Sequence, residues 1–167
     1  MFHEVPAPAF SDVKALFAQP ENGRPFSLPE REFLFTGSGK GSLALILGYL
    51  RHTGVLTSKM DEILLPAWLG YWVYNQCTPF AFPARTYSAN TKLLLAYHQY
   101  GFPQDMDTIL DYARERKLVV VEDCAHALCS YYKGQRLGTF SDFALFSFSK
   151  FFFCSNMYFI ISLTPSK

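Results

Sequence analysis

The stretch Val119–Lys150 reads VVVEDCAHALCSYYKGQRLGTFSDFALFSFSK, and it decides how the rest of the chain is interpreted. It begins with an apolar run that is typical of a fully buried parallel strand and that ends on Glu122 and Asp123. A second apolar run, Phe143–Phe148, is followed by Lys150. Ligands of parallel α/β sheets lie beyond the carboxyl ends of the strands. An acid at one strand end and a lysine just past another therefore indicate a buried cofactor site.

Composition limits the classes of protein to which this chain can belong. Its 167 residues are enough for one domain with a core of its own. Half of the residues are hydrophobic and only 17% are charged, which predicts extensive burial, a subunit interface, or missing sequence that would cover apolar surface. The net charge is +1 and the sequence has no basic block, so it argues against nucleic acid as a partner.

Cysteine usage and hydropathy favour a cytoplasmic protein with no membrane partner. Four cysteines are too few for a small disulfide scaffold, and Met1 is not followed by the charged and apolar regions of a signal peptide. The apolar segment Phe143–Leu163 has the length of a membrane span, but Lys150 and Asn156 lie near its middle. Because a lysine at the bilayer centre costs about 2.5–3.5 kcal/mol, we do not interpret this segment as a span.

Alternating helices and strands predict an α/β fold. Five prolines within residues 1–35 break any long helix, so this N-terminal arm should be irregular apart from one short helix near Asp12–Phe17. Helices are expected at Leu43–Leu50, from Trp68 onward and from Asp105 to Lys117, and strands at Phe33–Phe35, Glu62–Pro66, Thr78–Pro83, Lys92–Tyr97, Leu118–Glu122, Phe143–Phe148 and Tyr158–Leu163. The first helix is apolar on nearly all sides, which predicts that it is buried. This order implies a mostly parallel sheet that is flanked by helices on both faces.

A glycine-rich turn, Thr36–Ser42, leads into the first helix and suits a phosphate group. Free N–H groups at a helix N-terminus and the positive end of the helix dipole both favour an anion. The alternative is a flexible turn in which a serine caps the helix. A nucleotide-binding P-loop is a third interpretation, but its pattern fails because Lys40 is followed by Gly41 and because Leu34 stands where the first glycine is required.

Together, the acid, the lysine and the glycine-rich turn are the three groups that pyridoxal phosphate (PLP) requires. Its ring nitrogen needs a carboxylate, here Asp123, its aldehyde needs a lysine, here Lys150, and its phosphate needs N–H donors. Trp68 and Trp72 are candidates for stacking on the flat cofactor ring, although aromatic residues at helical spacing are more often core residues. Asp123 could alternatively cap the turn that follows it.

Four separated motifs resemble one enzyme family and keep its order along the chain. They are Tyr100–Asp107 (YGFPQDMD), Val121–Ala127 (VEDCAHA), Gly138–Asp142 (GTFSD) and Phe146–Phe148 together with Lys150. Over roughly residues 33–153 the chain resembles the DegT/DnrJ/StrS-type sugar aminotransferases, which are fold-type I PLP-dependent enzymes. The resemblance implies that Lys150 is the Schiff-base lysine, that Asp123 is the partner of the ring nitrogen, and that His126, where the family usually has glutamine, lies near the cofactor hydroxyl. It also implies that the phosphate is surrounded by Gly39, Lys40, Gly41 and Ser147.

The resemblance further implies a function and a set of partners. An aminotransferase of this family would move an amino group from a donor such as glutamate to a keto sugar linked to a nucleotide, within a homodimer. The family's dehydratase branch has a histidine where Lys150 stands and is a poorer match. A zinc site is an alternative role for His126, but the pattern Cys124-x-His126-x2-Cys129 has no fourth ligand nearby, so no metal is predicted.

The chain also departs from the family pattern. Family members are considerably longer, and the glycine-rich loop expected after Lys150 is replaced by Phe151–Asn156. We therefore expect residues 36–167 to form an incomplete PLP-binding large domain, with the small C-terminal domain absent. An alternative function follows from this expectation, namely a catalytically inactive, truncated homologue that binds PLP weakly or acts only through dimer contacts.

Overall fold

The computed structural model describes residues 32–151 and the backbone of residues 159–163. Its helices are α1 (Gly39–His52), α2 (Tyr71–Cys77) and α3 (Met106–Arg116), and its strands are β1 (Glu32–Thr36), β2 (Glu62–Leu64), β3 (Phe82–Ala84), β4 (Thr91–Tyr97), β5 (Val119–Cys124), β6 (Tyr131–Tyr132), β7 (Gln135–Arg136), β8 (Phe143–Ser147) and β9 (Phe159–Leu163). Short 3₁₀ turns follow β4 at Gln99–Gly101 and β8 at Phe148–Lys150. β1 begins inside the predicted N-terminal arm, and the helix predicted near Asp12–Phe17 lies outside the described residues.

Seven of these strands form one sheet, in the order β1-β9-β8-β5-β4-β2-β3. The five neighbours from β8 to β3 are parallel to one another. Strand β9 is antiparallel to both β8 and β1, so β1 has the same direction as β8. The mostly parallel sheet that the sequence predicted is therefore confirmed. The carboxyl ends of β1, β8, β5 and β4 lie at one edge of the sheet.

The sheet separates two apolar layers, and β5 contributes to both. Val121 packs with the buried face of α1, whereas Val120 packs with α3 on the opposite face. Successive side chains of a strand point to opposite faces. Because this alternation continues along β5, Glu122 points to the α3 face and Asp123 points to the α1 face. Two neighbouring acids are thus given entirely different surroundings.

Helix α1 forms the outer layer on one face of the sheet. Its buried leucine and isoleucine side chains, which recur at helical spacing, are Leu43, Ile46, Leu47 and Leu50. Leu45 is 46% exposed and Tyr49 is 50% exposed. The prediction of a helix that is buried on nearly all sides is therefore wrong, because the described elements cover only the side of α1 that faces the sheet.

Two elements predicted between β2 and β4 are present, but they begin later than predicted. Trp68 lies in a turn before α2, because that helix begins only after Gly70. The segment predicted as a strand from Thr78 is largely a turn, because the N–H of Thr78 caps α2 and the N–H groups of Phe80 and Ala81 bond the carbonyl of Cys77. Only β3 remains of that strand.

The helix predicted from Asp105 to Lys117 is present as α3. Asp105 is its N-cap and accepts the N–H of Thr108, and Lys117 ends it in a left-handed conformation with φ 55°. None of the helices in the described ranges is long and apolar enough to cross a membrane. Phe143–Ser147, where the span-like segment begins, is strand β8 of the sheet.

Candidate functional site

The pairing register brings several polar residues to the carboxyl-end edge of the sheet. Tyr97 of β4 is paired with Asp123 of β5. Beyond β5, Ser147 of β8 and Thr36 of β1 are aligned with each other through the backbone of Phe159 in β9. Neighbouring strands are about 4.8 Å apart, so Thr36 and Ser147 lie about 10 Å apart. Ser147 is fully buried, and its hydroxyl lies 3.1 Å from the hydroxyl of Ser149.

Asp123 is a buried carboxyl group at this edge and is only 4% exposed. Its Oδ1 accepts the backbone N–H of Ala125 at 3.0 Å, so the turn cap considered as an alternative is present. None of the described residues donates to its Oδ2. Burial raises the pKa of Asp123 to about 6, against the opposing effects of the Ala125 hydrogen bond and of the nearby His98 and Lys150 side chains. A cation placed against this carboxylate would offset the cost of its burial.

Lys150 and His126 complete a group of titratable residues around Asp123. Lys150 ends the 3₁₀ turn that follows β8, and His126 lies in the turn that follows β5. Burial, and then the positive charge of Lys150, lower the pKa of His126 below its ordinary value, which favours the neutral imidazole. Since the charge of Lys150 also acts on Asp123, both His126 and Asp123 lie within electrostatic reach of Lys150.

Aromatic rings line the site beside His126. The hydroxyl of Tyr97 lies 3.1 Å from Nδ1 of His126, and the ring of Tyr100 stacks on the imidazole with 5.7 Å between ring centres and 4° between planes. The ring of Trp68 lies 6.2 Å from that of Tyr97. Of the two tryptophans predicted to stack on a cofactor, Trp68 is thus adjacent to the site. Trp72 lies on α2, where its indole packs beside the backbone of the preceding turn.

Tyr97 and Tyr100 are site residues that were not predicted from the sequence. Tyr97 is the last residue of β4, so its position at the carboxyl end of a predicted strand was a usable signal. Tyr100 opens the first of the four family-like motifs. It also has φ 53°, a left-handed conformation that is uncommon outside glycine and that no pattern in the sequence indicated.

The N-terminus of α1 follows β1 and lies at the same edge of the sheet. The hydroxyl of Thr36 lies 2.6 Å from the hydroxyl of Ser42, which ties the first turn of α1 to the end of β1. Ser38 is the N-cap, and its hydroxyl accepts the N–H of Gly41 at 3.0 Å. The serine cap is thus present and engages the N–H of Gly41. Gly39 and Lys40 stand in the first turn, where N–H groups have no carbonyl partner within the helix, and these two remain suited to an anion.

Glu122 lies on the opposite face of β5 and is the centre of a fully buried hydrogen-bond network. Its Oε2 accepts the N–H of Gly138 at 2.7 Å and lies 3.2 Å from Nε2 of His98. Its Oε1 accepts the N–H groups of Phe140 and Ser141, both at 3.0 Å. Burial opposes the charge of Glu122, but these hydrogen bonds outweigh it and hold its pKa below the ordinary value. Gly138 has φ 82°, and a Cβ there would lie 2.2 Å from the ring of Phe146, so the loop requires glycine at this point.

Three potential metal ligands belong to this network rather than to the edge of the sheet. The donor atoms of His98, Glu122 and Cys124 lie within 4.8 Å of one another. The N–H of Gln104 donates to Nδ1 of His98 at 3.1 Å, so the imidazole proton is on Nε2 and is donated to Glu122. The cluster is thus accounted for by hydrogen bonds within the protein. Cys124 is buried in the apolar layer of the α3 face and Cys129 is exposed, so the structure does not bring either cysteine together with His126 as a zinc site.

Comparison with solved structures defines the class of protein. The chain is similar to S. venezuelae DesV, with a TM-score of 0.69 and 26% identity over 80% of this chain and 40% of DesV. For the PLP form of Spr1654 from Streptococcus pneumoniae the TM-score is 0.65 at 21% identity, over 80% of this chain and 42% of that one. For an aminotransferase from Psychrobacter cryohalolentis it is 0.67 at 20% identity, over 80% and 38%. The described chain therefore has the fold of the PLP-dependent aminotransferases.

Comparison with sequences finds relatives of one part of the chain. Residues 84–151 match the model of the DegT/DnrJ/EryC1/StrS aminotransferase family, so the relationship predicted from the motifs is confirmed for this part of the chain. Over 58 residues the chain is 50% identical to the GDP-perosamine synthase of Escherichia coli O157:H7 and 45% identical to the dTDP-3-amino-3,4,6-trideoxy-alpha-D-glucose transaminase of Streptomyces venezuelae. Each alignment covers 35% of this chain but only 16% and 15% of these two relatives, respectively. The family match includes Asp123, His126, Ser147 and Lys150, and the family indicates PLP as the cofactor.

Proposed function

We propose that this chain is the cofactor-binding part of a PLP-dependent aminotransferase that acts on a nucleotide-linked keto sugar. The observation that carries the proposal is the buried carboxyl group of Asp123 at the carboxyl end of β5. It lies within electrostatic reach of Lys150 and on the face of the sheet that carries α1. PLP requires an acid for its ring nitrogen, a primary amine for its aldehyde, and N–H donors such as those of a helix N-terminus for its phosphate. The described residues offer all three groups and therefore fit this cofactor.

Each of these residues has a separate task in the proposal. The Oδ2 atom of Asp123, to which no described residue donates, would keep the ring nitrogen protonated. Lys150 would hold the cofactor covalently through Nζ. The phosphate would be bound by the N–H groups of Gly39 and Lys40 in the first turn of α1, with Ser147 contributing its hydroxyl and Gly41 keeping the turn closed against Ser38.

When bound, PLP supplies an electron sink for the bond changes at the amino-bearing carbon. The protein must then move a proton, and Nζ of Lys150 would accept it from one carbon and return it to another as general base and general acid. Trp68 would cover one side of the cofactor ring and exclude water from it, since its indole borders Tyr97 at 6.2 Å.

The substrates are inferred from the relatives that the chain resembles. The names of two of them, GDP-perosamine synthase and a dTDP-amino-sugar transaminase, both describe sugars linked to nucleotides. A keto sugar of this type would accept the amino group, and an amino acid such as glutamate would donate it. We further infer a homodimer in a reducing cytoplasm, in keeping with the family and with the free thiols of Cys77 and Cys129.

Covalent trapping tests the cofactor site directly. The full chain is mixed with PLP, its visible absorption is recorded, and borohydride is added before peptide mass spectrometry. We expect a phosphopyridoxyl group on Lys150 in the wild type and none in Lys150→Ala. Lys59→Ala is the matched control, because Lys59 is an exposed lysine that precedes β2 and so lies towards the opposite edge of the sheet. Labelling of Lys150→Ala to the same extent as the wild type would refute the site.

The same preparation distinguishes an active enzyme from an inactive homologue. Formation of 2-oxoglutarate from glutamate, in the presence of PLP and absent from Lys150→Ala, would support amino transfer. Labelling of Lys150 without any transfer would favour the alternative, a homologue that binds PLP but does not turn it over. Binding of a nucleotide without binding of PLP would instead favour the phosphate-binding protein considered from the glycine-rich turn.

A further inference from the structure

Tyr97 is a half-buried residue at the carboxyl end of β4, and its hydroxyl group contacts the imidazole of His126 in the proposed cofactor site. It is the last residue of β4, and its backbone pairs with that of Asp123. Its hydroxyl lies 3.1 Å from Nδ1 of His126, and its ring lies 6.2 Å from that of Trp68. Burial first, and then the charge of Asp123, raise the pKa of Tyr97, so it remains a phenol with a hydrogen to donate at neutral pH.

A second contact determines the direction of the hydrogen bond between Tyr97 and His126. The backbone N–H of Tyr100 points at the same Nδ1 atom from 3.5 Å. A backbone amide can only donate, so Nδ1 must be the acceptor and the hydroxyl of Tyr97 must be the donor. The proton of the neutral imidazole is then on Nε2. Because no described residue bonds that Nε2, it is the ring nitrogen that can donate to a bound molecule.

The backbone around Tyr100 holds this arrangement in place. Tyr100 has φ 53° and Gly101 has φ 84°, so the chain makes a tight turn over His126. A Cβ on Gly101 would lie 3.2 Å from the carbonyl of His126 and 3.2 Å from the hydroxyl of Ser130. The ring of Tyr100 is nearly parallel to the imidazole.

We propose that Tyr97 is a positioning residue that, together with the backbone N–H of Tyr100, holds His126 as its Nε2–H tautomer and thereby keeps it a hydrogen-bond donor to the ring hydroxyl oxygen of bound PLP. This inference rests on the proposed function for its ligand and on the geometry of the apo chain for the tautomer. A side-chain amide at this position could donate an N–H without help from a neighbour. An imidazole donates from Nε2 only while its other nitrogen is held as an acceptor. The N–H of Tyr100 selects that state from 3.5 Å, and the shorter hydrogen bond from Tyr97, at 3.1 Å, stabilises it.

The tautomer is measured on the apo protein by ¹⁵N NMR of the imidazole nitrogens. In the wild type we expect His126 to have the shift of an unprotonated nitrogen at Nδ1 and of a protonated one at Nε2. In Tyr97→Phe the two shifts should move towards each other as both tautomers become populated. Tyr131→Phe, which alters an exposed tyrosine of β6, is the control and should leave both shifts unchanged. A wild-type protein with the proton on Nδ1, or a Tyr97→Phe protein with unchanged shifts, would overturn the inference.

The donor role is measured with two cofactors, PLP and 3-deoxypyridoxal 5′-phosphate, which lacks the ring hydroxyl. One hydrogen bond predicts that the wild type prefers PLP by on the order of tenfold. His126→Ala should abolish this preference, Tyr97→Phe should reduce it several-fold, and Tyr131→Phe should retain it. Equal weakening of both cofactors in Tyr97→Phe would mean a purely structural role and would overturn the proposal. Failure of the wild type to bind either cofactor would refute the proposed function and this donor role together, whereas the NMR result on the apo chain would still decide the tautomer.

Discussion

Glu122 and Asp123 are consecutive residues of β5 and both are buried, but the surrounding protein shifts their pKa values in opposite directions. Glu122 faces α3 and accepts hydrogen bonds from three backbone N–H groups and from His98, which hold its pKa low despite burial. Asp123 faces α1 and accepts one hydrogen bond from Ala125, and burial raises its pKa to about 6. A buried carboxylate whose oxygens accept several hydrogen bonds from the protein stabilises the fold, whereas one that accepts few hydrogen bonds is suited to binding a ligand.

The largest expected effect is on the Glu122 side. Glu122→Gln places an amide NH₂ against N–H donors that a carboxylate oxygen now accepts, and we expect a loss of about 3 kcal/mol in the free energy of unfolding at pH 7. Because the pKa of Glu122 is lowered, its contribution is present above the unfolded pKa and is lost as the pH falls through the folded pKa. The deficit should therefore shrink in acid. Urea unfolding measures it, with the exposed Glu115→Gln on α3 as control. Equal stabilities of Glu122→Gln and Glu115→Gln would show that Glu122 stabilises the fold no more than an exposed glutamate does.

Asp123→Asn should have the opposite sign in the apo protein. The unfolded aspartate ionises near pH 3.8 and the folded one at about 6, so the wild type loses stability as the pH rises between these values. An asparagine can still accept the N–H of Ala125 and has no charge to bury. We expect stabilisation by up to about 3 kcal/mol above pH 6.5, fading to nothing below pH 4. The variant should at the same time bind PLP more weakly.

Urea unfolding of wild type and Asp123→Asn at acid and neutral pH checks this prediction. A stability difference that is constant across the pH range would show that burial does not raise the pKa of Asp123. A variant that is more stable in apo form but binds PLP as tightly as the wild type would separate the burial of Asp123 from any role with the cofactor.

The smallest expected effect is that of removing one hydroxyl group, that of Ser141, from the hydrogen-bond network of Glu122. The hydroxyl of Ser141 lies 2.7 Å from Oε1 of Glu122 and also 2.7 Å from the carbonyl of Phe143, and its single hydrogen serves one acceptor at a time. Since the backbone N–H groups remain in Ser141→Ala, we expect a loss of only about 1 kcal/mol. Asp111→Ala, which breaks an exposed ion pair with Arg114 on α3, should cost less than about 0.5 kcal/mol. A loss in Ser141→Ala as large as in Glu122→Gln would place the network's stability in the hydroxyl rather than in the backbone donors.

The sequence was sufficient where a residue's role follows from its place along one strand. The valines of β5 predicted a buried strand, and this order of strands and helices predicted the edge at which Asp123 and Lys150 lie. It was not sufficient for Glu122, whose partners come from positions 98 and 138–141 and meet it only when three segments fold together. The sequence motifs therefore did not indicate that Glu122, rather than Asp123, is the acid that stabilises the fold.

Local patterns also misplaced residues where short-range contacts override periodicity. The aromatic spacing from Trp68 onward predicted a helix, but the chain forms a turn at Trp68, which leaves its ring against Tyr97. The apolar residues of α1 predicted burial on nearly all sides, yet hydrophobicity alone does not say which layers are available to cover Leu45 and Tyr49. The tautomer of His126 depends on a backbone N–H of a residue with positive φ, which no sequence pattern encodes.

The backbone of strand β9 sets the spacing between two polar residues of the site. Thr36 and Ser147 are aligned only because each is paired with the backbone of Phe159. Moving β9 by one residue against β1 alone would displace the first turn of α1 by about 3.3 Å relative to β8, a distance larger than a hydrogen bond allows. Among the described strands, β1 and β9 are the paired strands most distant along the chain, so their pairing closes the longest loop and is expected late in folding. The spacing between the first turn of α1 and the end of β8 is therefore expected to be fixed only after the parallel strands have paired.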